Sequence, residues 1–415
     1  MKKRIFYYNV IFFTFLFCLK IYSLSGWVQQ SSGTSATLYS VTFTNLNNGI
    51  AVGANGTILR TSNGGLNWIS ISVGTIQTFY SVYFLNSNTG WIAGNNGIVL
   101  KSTNAGLNWY SQLISTLQTL TCIYFIDGNT GFVVGYSGTI FKTTDGGLNW
   151  VSQNSLTSNN LNSVYFINAN TGTIVGTYGT VKKTTNGGVN WFSQTVPTTS
   201  YELRSVYFIN SNIGIIVKAN YDYTRSIYRT IDGGNLWYEI YTGSVHSLRA
   251  ISFVNSTKGY LIGDEGDVFV TSDGGANWIF TPTGVMNWLY DGYFVSENVG
   301  WVVGDGGIIL HTTNGGNIFI QNIGNKIPER YNLYQNYPNP FNPSTRIKFD
   351  IPKGSNIKIK VFDIMGKEIE TLVNDYISAG TFETSWNAQK YSSGVYFVKL
   401  LTKDYQDTKR MLLVK

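Results

Sequence analysis

The stretch Thr143–Trp150, "TTDGGLNW", decides the fold because it keeps returning. It reads "TSNGGLNW" from Thr61, "STNAGLNW" from Ser102 and "TTNGGVNW" from Thr184. Its last position falls at Trp68, Trp109, Trp150, Trp191, Trp237, Trp278 and Phe319, at spacings of 41, 41, 41, 46, 41 and 41 residues. A second column precedes it at Phe43, Phe84, Phe125, Phe166, Phe208, Phe253 and Phe294, mostly in "SVYF"-like strands. Between the two columns run a "GWIAG"-like strand, a Gly-containing turn and a "TILRT"-like strand. Four short strands per unit at this period, repeated through seven units, predict a seven-bladed β-propeller.

The residue types suit that architecture. Alternating apolar residues fit strands buried between neighbouring blades. Asn-Gly, Asp-Gly and Gly-Gly tolerate the positive φ of tight turns. The Asp or Asn of each copy (Asn63, Asn104, Asp145, Asn186, Asp232, Asp273 and Asn314) can accept hydrogen bonds from its own turn. The Trp five residues later can then lay its ring against the blade. Seven copies of one catalytic group would serve no purpose, so the motif reads as scaffold. "GWVQQ" (26–30) looks like the fourth strands "WVSQ" and "WFSQ", and Trp27 lies 41 residues before Trp68. The N-terminal strand is therefore expected to complete the seventh blade beside the strand from Ile308, which removes two open sheet edges.

The motif resembles the Asp-box, Ser/Thr-x-Asp-x-Gly-x-x-Trp, of sialidase-type propellers. The whole unit is most similar to the propellers of the photosystem II assembly-factor family. The resemblance spans residues 26–322 and implies that the Asp-box is a structural turn at the blade edge, in Asn63–Trp68, Asn104–Trp109, Asp145–Trp150, Asn186–Trp191, Asp232–Trp237 and Asp273–Trp278.

Both ends of the chain differ from this middle. Residues 1–25 open on the basic "MKKR", continue in the apolar run "IFFTFLFCL" (11–19) and reach Ser23 and Ser25. That pattern reads as a secretory signal peptide, leaving a mature chain without a transmembrane span. Phe17 is too large for the position before a lipidated Cys18. The mature chain keeps one cysteine, Cys122, so it has no internal disulfide. Cys122 stands where other repeats carry Ser and reads as a small buried filler.

Residues 323–330 form a polar linker containing Pro328, and residues 331–415 alternate strands with Gly turns in the manner of a small immunoglobulin-like β-sandwich. Its "YPNPFNPST" opening (337–345), "VFDIMGKEI" (361–369), "SSGVYFVKL" (392–400) and "KRMLLVK" ending (409–415) are similar, in order, to the type A C-terminal sorting domain of the type IX secretion system. The resemblance implies the type IX machinery as a partner. It further implies Sec export, passage through the outer membrane of a Gram-negative bacterium, and release or attachment at the cell surface.

Charge narrows the function. The chain carries a formal +7, but residues 26–330 hold 13 basic and 14 acidic groups. A neutral propeller lacks the basic footprint of a nucleic-acid binder. In a four-strand blade the turns between strands two and three share a face with the connections between blades, and the Asp-boxes occupy the other. The first face is the one to search, because binding residues sit on loops held by a rigid scaffold. There the chain places Tyr221, Asp222 and Tyr223 in a four-residue insertion, Asp264, Glu265 and Asp267 in "GDEGD", and Asp305 in "GDGGI". His246 and Trp288 lie in nearby connections. Aromatic rings beside carboxylates suit a polysaccharide, and the same patch suits a protein partner. A second column (Arg60, Lys101, Lys142, Lys183, Arg229 and, in blade seven, His311) is expected to lay its stems over neighbouring blades and keep its charges in water.

The leading expectation is a non-catalytic binding module. The alternative is a secreted glycoside hydrolase with Asp264 and Asp305 as the carboxylate pair. His246 and His311 have no neighbouring Cys or His in sequence, so no metal site is expected, and no cofactor motif appears.

Overall fold

A computed structural model describes residues 26–197, 202–219, 226–242, 246–281, 283–316, 321–322, 327–377, 379–388 and 391–415. Seven four-stranded antiparallel sheets follow one another along the chain, and the strands of each meander from an inner to an outer position. The first blade runs Leu38–Phe43, Gly49–Gly53, Ile58–Thr61 and Ile69–Ser70. Every residue of its second strand is buried, and the same holds in Gly90–Gly94 and Gly131–Gly135. These strands face a neighbouring blade on both sides, so they read as continuous apolar runs. Among the described residues the only helical turns are short 3-10 turns such as Asp264–Gly266 and Asp305–Gly307.

Each box is a closed hydrogen-bond unit. In blade three the Thr143 hydroxyl donates to Asp145 Oδ1 at 2.8 Å and accepts the Gly147 N–H at 2.9 Å. Asp145 Oδ1 accepts the Asn149 N–H at 2.9 Å, and Oδ2 accepts the Asn149 amide at 2.7 Å. Bonds from the Asn149 backbone and side chain hold the Asp145 carboxyl down at about 2. The turn fixes where the following Trp goes. Trp150 meets Phe125 edge to face at 5.9 Å, and Trp68, Trp109, Trp191, Trp237 and Trp278 meet the Phe of their own blades in the same way. The Phe in turn requires a glycine across from it: a Cβ on Gly131 would lie 2.5 Å from the Phe125 ring.

Gly26–Gln30 pairs with Ile309–Gly316 as the fourth strand of blade seven. Trp27, buried to 1% exposure, meets Phe294 edge to face at 6.0 Å and so occupies the place of the box Trp. Gln30 spans the seam to blade one. Its amide donates to the Gly64 carbonyl at 2.9 Å and accepts the Trp68 indole N–H at 3.3 Å.

The basic column differs from its expected wet state. Lys101, Lys142 and Lys183 donate to the box carbonyls of Gly146, Gly187 and Gly233 in the next blade, at 2.8, 2.7 and 2.6 Å. Arg60 and Arg229 reach Ala105 and Gly274 in the same way. The stems do cross to the neighbouring blade, but the charged heads end on backbone acceptors there. His311 instead stacks on Trp301 at 4.7 Å.

The C-terminal unit is a two-sheet sandwich. One sheet orders Gln321–Asn322, Gly380–Asn387, Ser344–Ile351 and Asn332–Leu333; the other orders Glu368–Ile377, Ser355–Phe362, Gly394–Leu401 and Gln406–Leu413. Gln321–Asn322, which the sequence reading gave to the end of the propeller, thus belongs to the sandwich sheet. Phe349, Trp386, Ile359 and Val398 fill the space between the sheets.

Candidate functional site

The second residue of each inner strand lies where the chain enters from the connection between blades. These residues are Tyr39, Tyr80, Thr121, Asn162, Arg204, Arg249 and Tyr290. Tyr39 packs against Tyr80 at 5.0 Å and against Tyr290 at 4.9 Å. Arg249 anchors this aromatic row. Its guanidinium lies 4.4 Å from the Tyr290 ring centre and 4.9 Å from that of Trp288. It also pairs at two points with Asp264, through Nε to Oδ1 and through Nη2 to Oδ2 at 3.1 Å. Burial, with Asp305 adding to it, pushes the Tyr290 phenol up to about 12, so the row is uncharged.

The candidate carboxylates separate into three settings. Asp264 belongs to Arg249. Glu265 and Asp267 converge on His246, whose Nε2 is 3.4 Å from Glu265 Oε2 and whose Nδ1 is 3.2 Å from Asp267 Oδ2. Asp305 accepts the Thr37 hydroxyl at 3.0 Å and so links blade seven to blade one. Trp288 joins the group through Arg249. Tyr221, Asp222 and Tyr223 lie outside the described residues. The sequence reading did not single out the row Tyr39–Tyr80–Tyr290 or the anchoring role of Arg249. Simple alternation hides the signal, because each inner strand breaks register between its first and third residues, as at Leu38/Ser40, Phe79/Ser81 and Leu289/Asp291, and the second residue falls in that bulge.

One position further along the same strands a girdle binds the blades. The Ser40 hydroxyl accepts the Val82 N–H at 3.3 Å, Ser81 accepts that of Ile123 at 3.2 Å, and Ser163 accepts that of Val206 at 3.4 Å. Cys122 holds this position in blade three and donates its thiol to the Val164 carbonyl at 3.9 Å; burial pushes that thiol up to about 11. In blade seven the residue is Asp291, which accepts the Ser40 hydroxyl at 2.8 Å and the Val41 N–H at 3.1 Å.

Burial pushes the Asp291 carboxyl up to about 6 from its ordinary 3.8. A raised acid binds its proton more tightly folded than unfolded, so its contribution to stability is greatest at low pH. That contribution is lost as pH rises through the folded value. Relative to Asp291→Asn, the wild-type protein is expected to lose about 2 kcal/mol of unfolding free energy between pH 4.5 and 7. Urea unfolding of both proteins at the two pH values checks this, and parallel pH profiles would refute it. The box carboxylates, which hydrogen bonds pull downward, act oppositely at lower pH and cancel in the comparison.

The repeats match the family described as photosynthesis system II assembly factor YCF48 three times, over residues 19–117, 109–238 and 235–336. The chain belongs to this family. Solved YCF48 structures have the same fold as its propeller. One described as YCF48 bound to D1 peptide aligns at TM-score 0.59 and 22% identity, covering 70% of this chain and 97% of that one. YCF48 from Cyanidioschyzon merolae aligns at TM-score 0.57 and 19% identity, covering 69% and 98%. The WD40 propeller domain of Doa1 reaches TM-score 0.57 at 14% identity, covering 70% and 98%. No curated protein matches the chain. Residues 335–415 match a secretion system C-terminal sorting domain, so this YCF48-family propeller carries a type IX sorting tail that implies export.

Proposed function

We propose that the exported propeller is a non-catalytic interaction module that seats a peptide segment of a protein partner on the face of the 2→3 turns. Residues 1–25 serve as the export signal, residues 26–316 as the binding unit, and the sorting domain delivers it to the cell surface or the medium. The carrying observation is apolar. Three successive connections on that face present Ile76, Leu113, Leu117 and Leu156, each between 68% and 88% exposed. Aliphatic side chains this exposed favour a protein surface over a sugar, which stacks on rings. The half-exposed Trp288, held by Arg249, adds an aromatic anchor at the channel mouth. A solved relative described as bound to a peptide supports the same class of ligand. Asp264 and Asp305, the pair a hydrolase would use, already make contacts to Arg249 and Thr37.

The test is binding of the labelled full chain to arrays of overlapping peptides and of glycans, with released sugars assayed in the same wells. Peptide binding should weaken at least tenfold in Leu117→Asp and persist in Leu148→Asp, which alters the Asp-box face. Equal loss in both variants would refute the chosen face. Glycan binding lost in Trp288→Ala would make polysaccharide the ligand. Sugar release lost in Asp264→Ala or Asp305→Ala would make the protein a hydrolase.

A further inference from the structure

The third to fifth positions of the inner strands read Ser-Val-Tyr in blades two, four and five and Cys-Ile-Tyr in blade three. Three adjacent blades depart from this pattern: Asp291-Gly292-Tyr293 in blade seven, Ser40-Val41-Thr42 in blade one and Ala250-Ile251-Ser252 in blade six. All three departures border one cavity of about 580 Å³ in the channel. Where the pattern holds, the channel wall is aromatic. Tyr83, Tyr124, Tyr165 and Tyr207 form an arc with ring centres 5.2, 5.5 and 4.7 Å apart. Where Thr42 and Ser252 replace Tyr, no ring fills the space. The cavity therefore opens between them, bordered by Tyr83, Tyr207 and Tyr293.

The lining orders itself by strand position. Asn45, Val254 and Val295 lie just past the inner-strand ends, on the side of the Asp-box face, and Asp291 lies furthest back along its strand from that end. We propose that this cavity is a binding site for an alkylammonium group, its charged head on Asp291 and its stem against Tyr83, Tyr207 and Tyr293. The site is on the face opposite the proposed peptide seat.

Charge decides the ligand class. Among the described residues Asp291 is the only carboxylate lining the cavity, and no Lys, Arg or His lines it. Burial pushes the Tyr83 phenol up to about 12 and raises those of Tyr207 and Tyr293, so the rings are neutral. Among the described residues no ion pair involves Asp291. Its Oδ2 accepts two hydrogen bonds, while Oδ1 accepts the Gly292 N–H at 2.8 Å. A carboxylate has about four acceptor sites, so Oδ1 has capacity left. A partly buried negative charge without a cation is costly, and an entering ammonium relieves that cost. The tyrosine faces add cation–π attraction. A metal ion fits less well: among the described residues no group of three His, Cys, Asp or Glu side chains comes together, and hard cations take six or more oxygen ligands.

The test is calorimetric titration of the full chain in phosphate buffer at pH 7.5 with three probes. Cadaverine represents a free amine, Nα-acetyl-lysine methylamide represents a peptide-borne lysine, and Nα-acetyl-norleucine methylamide is the neutral control. Saturable binding of either amine, with none of the control, is expected. Which amine binds more tightly tells a free amine from a protein-borne one. Asp291→Asn, which keeps the shape, should weaken binding at least tenfold. Ser252→Tyr, which restores the pattern of the other blades and fills the cavity, should abolish it. Absence of amine binding to the wild-type chain, equal binding of the neutral control, or unchanged affinity in both variants would overturn the proposal.

Discussion

Trp27→Ala is expected to lower the melting temperature by on the order of 10 °C, and removal of Gly26–Gln30 by more. Trp27 is buried and fills the space over Phe294 that a box Trp fills in the other blades. Truncating a buried Trp costs about 3–5 kcal/mol through lost burial and the cavity left behind. In a domain of this size each kcal/mol moves the melting temperature by about 2–4 °C. Deleting the strand has two further consequences. Ile309–Gly316 becomes an open edge, and the seam to blade one loses the Gln30 bonds to Gly64 and Trp68. Val28→Ala, on the same strand but 66% exposed, should leave the melt within about a degree and serves as control. Calorimetry of the four proteins checks the expectation. An unchanged melt after the deletion would mean that the ring does not depend on its N-terminal strand.

The fold was readable in the sequence because it is periodic and local. The 41-residue return of "GGLNW", the Phe column and the extra Trp27 determine blade number and closure without any long-range information. The channel was harder to read, because its groups meet only after seven blades close. Arg249 and Asp264 are 15 residues apart and give no local signal of a two-point pair. Ser40 and Asp291 are separated by 251 residues. The departures at Thr42, Ser252 and Gly292 are visible in an alignment of the repeats, but only the ring makes blades six, seven and one neighbours. The basic column shows the same limit. Side-chain length and position were legible at Lys101 and Lys183, whereas the carbonyl that receives each head belongs to the next blade.

The second large effect concerns export. The opening and closing motifs of the sorting domain meet in space. The Phe341 N–H donates to the Leu412 carbonyl at 3.0 Å, and the Phe341 carbonyl accepts the Val414 N–H at 3.0 Å. Asn339 Oδ1 accepts the Leu412 N–H at 2.9 Å. Phe341 itself is buried and packs on Trp386 at 5.5 Å. Any surface that a secretion machine reads on this domain therefore depends on its last strand staying docked. Removing Met411–Lys415 takes away Met411 and Leu413, which are buried in the core, along with the backbone partners of Phe341. It should act like removal of residues 335–415, although only five residues are lost.

The decisive measurement is the distribution of the propeller among periplasm, cell surface and medium in a Gram-negative host with an active type IX system. Full-length chain, chain lacking Met411–Lys415 and chain lacking residues 335–415 would be compared. The surface and medium fractions should fall at least tenfold in both truncations, while the propeller retained in the periplasm keeps its thermal melt. Undiminished export of a folded propeller without residues 335–415 would contradict the reading of this chain as a propeller exported by its C-terminal domain.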